Sequence, residues 1–215
     1  MTPRRRHVIW DWNGTLLDDT DAAIAALNVM LRRRGLAEIT RDWYRRNFAF
    51  PARPFYAKIG MAVADDEWDA LAAEYYAAYA AEPARLNAGA MRALELVRAA
   101  GARQSILSAL RQDLLDETVA GYGLTAYMTC VYGTSNIDGA SKLDRALELM
   151  TEITADEAVM VGDSLHDQEV AAALGIPCVL CAQGSHARER LAAVAPTADT
   201  LEEAVGLALG ALPVL

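Results

Sequence analysis

The stretch VIWDWNGTLLDD, residues 8–19, decides how this chain is read. His7 to Trp10 is a short apolar run, Asp11 ends it, and Asn13-Gly14-Thr15 makes a turn. Runs of the same kind recur at RQSILS (103–108), MTCVY (128–132), AVMVG (158–162) and PCVLC (177–181). They are nearly continuous in apolar residues rather than alternating, as strands buried on both faces of a parallel sheet should be. Between them lie amphipathic segments, QDLLDETVAGYG, SKLDRALELMTE and HDQEVAAALG. In MRALELVRAAG the helical period predicts Met91, Leu94, Leu96 and Val97 on one side, with Gly101 ending the helix. The tail predicts a further helix with Leu201, Val205 and Leu207 on its buried side. Strands alternating with helices give an α/β class, a doubly wound parallel sheet.

Residues 19–84 break that rhythm. They contain no convincing strand and read as helices, TDAAIAALNVMLRRRG, TRDWYRRNF, PFYAKIG and DDEWDALAAEYYAAYA, punctuated by Gly35, Pro51 and Gly60. The expectation is a core formed by residues 1–18 and 85–215, with a helical cap at 19–84 inserted after the first strand. Trp43 and Trp68 are expected in the core of that cap.

With 215 residues, 53% of them hydrophobic, the chain can bury a core without staples. A formal charge of −9 argues against a broad nucleic-acid or anionic-membrane surface. It leaves room for a small anionic substrate, which needs only a few local positive groups. The apolar run near the N-terminus is shorter than the roughly 7–15 residues of a secretion signal. A cytoplasmic protein is therefore expected, and Cys130, Cys178 and Cys181 suit a reducing compartment. Cys178 and Cys181 are three apart on a strand and should point to opposite faces, as packing rather than as a redox pair. Oligomeric state is not readable from the sequence.

Four short features fall at the predicted carboxyl ends of separate strands, the edge at which open α/β sheets bind ligands. Asp11 can attack phosphorus there, and Gly14 and Thr15 form a turn whose backbone can approach phosphoryl oxygens. Ser108 ends the strand in ILSALRQ, and Lys142 opens a helix in GASKLDRALEL. In VMVGDSLHDQEVA, Asp163 and Asp167 lie four residues apart. Carboxylates so close repel unless a cation neutralises them, and such oxygen ligands suit Mg²⁺. Taken singly, Asp11, Ser108 and Lys142 read as an ordinary turn, cap and surface residue; the Asp163/Asp167 pair points to a cation even alone.

Together, DxxGTL with Asp11, then Ser108, Lys142 and GDSxxD with Asp163 and Asp167, resemble the haloacid dehalogenase-like (HAD) superfamily. The likeness covers nearly the whole chain and is similar to the phosphoglycolate-phosphatase-like branch, whose Rossmannoid core carries a helical cap of the C1 kind. It implies that Asp11 is a nucleophile forming an aspartyl-phosphate. It implies Mg²⁺ held by Asp11, the Asn13 carbonyl and Asp163, with Asp167 supporting them. Ser108 and Lys142 would bind the transferring phosphoryl group of a small phosphorylated metabolite.

One position departs from the pattern. Two residues after the nucleophile the family's phosphatases carry an aspartate that serves as general acid; here it is Asn13. General acid–base help is worth ~10²–10⁴-fold. Three readings stay open: a good leaving group (acyl phosphate, phosphoanhydride or aryl phosphate), another proton donor such as His166, Glu169 or a cap residue, or slow turnover by what is mainly a phospho-ligand-binding protein. A 2-haloacid dehalogenase is a further alternative; it needs no acid but leaves Asp163 and Asp167 without a cation. In the cap, Arg53, Arg45 and Tyr56 are the candidate substrate contacts, Arg53 first. His186 either caps a helix or faces solvent.

Overall fold

A computed structural model describes residues 6–135, 142–153 and 157–211. Strand β1 (Arg6–Trp10) lies inside a six-stranded parallel sheet with β4 (Arg103–Arg111), β5 (Val131–Thr134), β6 (Glu157–Gly162), β7 (Cys178–Cys181) and β8 (Thr197–Ala198). The order is β5-β4-β1-β6-β7-β8. The chain therefore extends the sheet to one side of β1 and then returns to extend it on the other. This reversal of strand order opens a crevice at the carboxyl end of β1, flanked by β4 and β6.

Alternate strand residues feed two cores. Val8, Trp10, Ile106, Val159, Val161 and Cys181 pack against α5 (Ala90–Ala99), α6 (Gln112–Gly121) and α10 (Leu201–Ala211). Ile9, Leu107, Met160, Cys178 and Leu180 pack on the opposite face against α7 (Leu143–Glu152), α8 (Leu165–Leu174) and α9 (Arg188–Ala192). Cys178 and Cys181 thus sit on opposite faces as packing residues. The buried stripe of α5 is Ala90-Ala93-Leu94-Val97, which leaves Met91 exposed, contrary to expectation. In α10 the stripe is Leu201-Ala204-Val205-Ala208, so Leu207 is exposed rather than buried. The strand expected at 128–132 runs over Val131–Thr134, with Thr129 N and Cys130 O already bonded to Gln104 and Ile106 of β4 and a short 3₁₀ turn at Thr125–Tyr127 before them.

In the chain, between β1 and the next strand of that sheet, come α1 (Thr20–Arg33), α2 (Arg41–Asn47), α3 (Ala52–Lys58) and α4 (Trp68–Tyr79). Ile24, Leu27, Met30, Tyr44, Phe55, Tyr56, Trp68 and Leu71 form a third apolar cluster drawn entirely from these helices and the loop at Met61. Trp68 is buried in it and Trp43 packs at its edge. The segment is entered and left through an antiparallel pair too short to see in the sequence, β2 (Leu17–Asp18) with β3 (Arg85–Leu86). Among the described residues no helix is long and apolar enough to cross a membrane.

Candidate active site

Asp11 leaves β1 with its amide still bonded to Val161 O at 2.8 Å, so the carboxylate is fixed by the sheet itself. Lys142 precedes α7 and is 1% exposed; its Nζ donates to Asp11 Oδ1 at 2.5 Å, Asp167 Oδ1 at 2.6 Å and Leu107 O at 3.2 Å. Asp167 spends its other oxygen closing the first turn of α8, accepting from Ser164 N, Ser164 Oγ and Asp163 N. Asp163 Oδ2 accepts from Ser185 N and Oγ, at 2.5 and 2.6 Å. The remaining oxygens, Asp11 Oδ2 and Asp163 Oδ1, face the Thr15 hydroxyl at 3.3 and 3.4 Å. One hydroxyl proton cannot satisfy both.

Candidate oxygen atoms of Asp11, Asp163 and Asp167 all lie within 4.8 Å of one another, buried, with Lys142 bridging Asp11 and Asp167. Burial raises the Asp11 carboxyl pKa well above its ordinary value; Lys142 opposes this, and Asp167 and Asp163 add to it. Burial and Asp167 push Asp163 up to about 7. Burial alone would raise Asp167 too, but Lys142 outweighs it and holds that carboxyl low. Lys142 itself is kept charged by Asp11 and Asp167 despite burial. One lysine is thus set against three carboxylates, and two of the three ionise reluctantly. A hard divalent cation at Asp11 Oδ2 and Asp163 Oδ1 fits that deficit and that donor set. The packing around Asp163 is tight: a Cβ on Gly14 or Gly184 would lie 2.3 or 2.1 Å from its Oδ2.

Asn13 follows Asp11 into the cavity. Its Nδ2 donates to Asp19 Oδ2 at 2.8 Å and to the Tyr79 hydroxyl at 3.3 Å, and its Oδ1 accepts from Ser108 Oγ at 3.3 Å. Tyr79 also donates to Asp19 Oδ2, at 2.8 Å. The Gly14 amide is engaged by Asp19 Oδ1 at 2.7 Å and Leu17 O at 2.9 Å, and the Thr15 amide by Trp12 O at 3.2 Å. A phosphoryl oxygen would therefore compete with protein acceptors for the amides of this turn. Asn87 supports it from below, donating to Thr15 O at 2.9 Å.

Asp11, Asn13, Gly14, Ser108, Lys142 and Asp163 converge on one cavity, with Thr15 and Asp167 directly beneath. Tyr56 lines its far wall. Arg53 and Arg45 are not part of the lining. Arg53 pairs with Asp65 and lies over the Trp68 ring, and Arg45 donates to the carbonyls of Ala182 and His186. His166 does line the cavity, but its Nε2 accepts from Lys142 N, and burial and Lys142 lower its pKa. His186 is buried and caps α8, its Nδ1 accepting from Leu165 N at 3.0 Å. Asp19, Tyr79, Asn87 and Ser185 were not singled out in the sequence. Only Asp19, a second acidic residue after Asp18, offered any local signal.

The family model of the haloacid dehalogenase-like hydrolases matches residues 8–181. A phosphoglycolate phosphatase of Rhodospirillum rubrum is 31% identical over 87% of this chain and 83% of its own length. A protein of Dickeya dadantii named probable phosphatase IndB is 25% identical over 94% and 92%. Among solved structures, a predicted phosphatase from Clostridium acetobutylicum superposes with a TM-score of 0.83 at 16% identity, covering 97% of this chain and all of that one. At that identity the superposition speaks for the fold.

Proposed function

The chain belongs to the haloacid dehalogenase-like hydrolases and is a phosphatase of that family, and on that premise we propose that it hydrolyses a small phosphorylated metabolite, with Mg²⁺, through a covalent phosphoryl group on Asp11. The observation that carries the reading is the pairing of Asp11 Oδ1 with buried Lys142 at 2.5 Å, while among the described residues Oδ2 shares the Thr15 hydroxyl with Asp163. Asp11, Asp163 and the Asn13 carbonyl would hold the ion, with Asp167 behind them. Bound there, Mg²⁺ would offset the repulsion between the attacking carboxylate and a phosphoryl dianion.

The protein's own groups do the rest. Lys142 orients Asp11 and stays charged beside the phosphoryl oxygens. Ser108 offers its hydroxyl to the same group in place of its 3.3 Å contact with Asn13. An Asp11 oxygen bonds to phosphorus as the ester oxygen leaves; water then attacks phosphorus, its oxygen departs with phosphate, and the carboxylate is restored. The helical segment 19–84 acts as the cap that closes the cavity over these steps.

The test is phosphate release from p-nitrophenyl phosphate with Mg²⁺ and with a chelator, in the wild type and in Asp11→Asn. Turnover should require the metal, and Asp11→Asn should lower kcat on the order of 10⁴-fold or more with an unchanged circular dichroism spectrum. Normal rates in that variant would overturn the proposal.

A further inference from the structure

The phosphoryl end of the cavity is polar and charged, whereas the end that would hold the leaving group is walled mainly by aromatic rings. Tyr44, Phe48, Phe50, Tyr75, Tyr76 and Tyr79 wall it, with further aliphatic and aromatic side chains between them. Lys142 is the only lysine or arginine among the described lining residues, and its three bonds go to Asp11, Asp167 and a carbonyl. The nearby cations of the helical segment are occupied elsewhere: Arg45 by backbone carbonyls, Arg53 by Asp65, Lys58 by Asn47. The one charged group of that segment on the cavity wall is Asp19, a buried carboxylate. A leaving group carrying its own carboxylate would meet tyrosine hydroxyls but no cation among the described lining residues, beside a like charge.

The cavity measures about 160 Å³. An apolar protein cavity of roughly 150 Å³ accommodates benzene. The measured volume includes the phosphoryl end, so what remains for the leaving group is small, and it is the aromatic walls that suit a ring. Asn13 supplies an independent observation: at the family's general-acid position it has no titratable proton, and its amide hydrogens are directed at Asp19 and Tyr79.

Resting on the phosphatase reading above, we infer that the preferred substrates are phosphate monoesters of an uncharged phenol-type alcohol, the ring seated against the aromatic wall. The step balances without an acid. The Asp11–phosphorus bond forms, the phosphorus–aryl oxygen bond breaks, and the electron pair stays on the phenolate, which takes a proton from solvent after release. Phenols ionise near pKa ~10, against about 16 for water and comparable alkoxide oxygens, so the phenolate leaves unaided where an alkoxide does not. Its charge develops on the oxygen in line with and opposite Asp11, at the Asn13 side of the cavity, and is delocalised into the ring.

The experiment measures kcat/KM of the full chain with Mg²⁺ on phenyl phosphate, benzyl phosphate, ethyl phosphate and phosphoglycolate. Phenyl phosphate should exceed phosphoglycolate by about tenfold or more. Benzyl phosphate should bind with a KM near that of phenyl phosphate but turn over far more slowly, because its ring fits and its oxygen does not leave. Phe50→Arg, on a half-buried loop position, should narrow the phenyl-to-phosphoglycolate ratio by placing a cation in the chamber. Phosphoglycolate hydrolysed as well as or better than phenyl phosphate overturns the inference and leaves the phosphatase reading intact. No hydrolysis of any of the four overturns both.

Discussion

At Asn13 a single nitrogen for oxygen changes what the site can do. The amide fits because its Nδ2 donates to Asp19 Oδ2 at 2.8 Å, an oxygen that also accepts from Tyr79. An aspartate at position 13 would put two carboxylates in contact, and such a pair shares one proton, with one pKa strongly raised. Burial already raises that of Asp19. In Asn13→Asp the pair formed with Asp19 should therefore share a proton near neutral pH beside the position where an ester oxygen leaves. The variant's kcat on ethyl phosphate should rise by roughly 10- to 100-fold, toward the usual range for general-acid help, with little change on phenyl phosphate. The gain should fade as pH rises through the raised pKa, since the acid form is what donates. Equal changes on both esters would show that position 13 does not face the leaving oxygen.

Local order in the elements was legible where one segment carried its own signal. The central strands were plain because β1, β6 and β7 are buried on both faces and read as apolar runs. Asp11 and Asp163 follow β1 and β6 directly, as expected, whereas Ser108 lies within β4, which runs on to Arg111 rather than ending at 108; both carboxylates, Ser108 and Lys142 line one cavity. What was not legible depends on partners distant in sequence. Asp65 draws Arg53 away from the cavity, Asp19 and Tyr79 meet across sixty residues, and β2 and β3 are two residues each. Gly184 belongs to the same class: it lies in the loop after β7, and a Cβ there would meet Asp163 Oδ2 at 2.1 Å and Gly14 O at 2.4 Å. The second contact is backbone, so Asp163 is what must move. Gly184→Ala should weaken Mg²⁺ activation by about 10- to 100-fold, the cost typical of disturbing a ligand's supporting contacts. The measurement is the Mg²⁺ concentration for half-maximal rate, with the Tm recorded beside it. An unchanged activation constant would remove Asp163 from the ion's ligands.

For the molecule as a whole, the sheet that gathers the site also buries two histidines that take no part in the chemistry. His7 lies in β1, 1% exposed, its Nε2 2.8 Å from Ser105 Oγ. His186 is equally buried as the cap of α8. Burial lowers both to about 4, helped by Arg103 at His7 and by Arg190 at His186. The unfolded chain titrates them near 6.5. Between those values the unfolded state binds protons that the native state refuses, so stability rises with pH. The contribution is complete above about pH 6.5 and is lost as pH falls toward about 4, at roughly 1.4 kcal/mol per pH unit for each histidine. The buried carboxyls Asp11 and Asp163, whose pKa values are raised, act with the opposite sign, so the wild-type curve alone mixes the two. The difference between wild type and His7→Leu isolates one histidine. In urea titrations from pH 7 to pH 4.5, the variant should lose stability less steeply, by about 1 kcal/mol per pH unit in the middle of the window. Parallel curves would mean that His7 accepts its proton without unfolding the sheet, and that the central strand is less tightly sealed than its burial indicates.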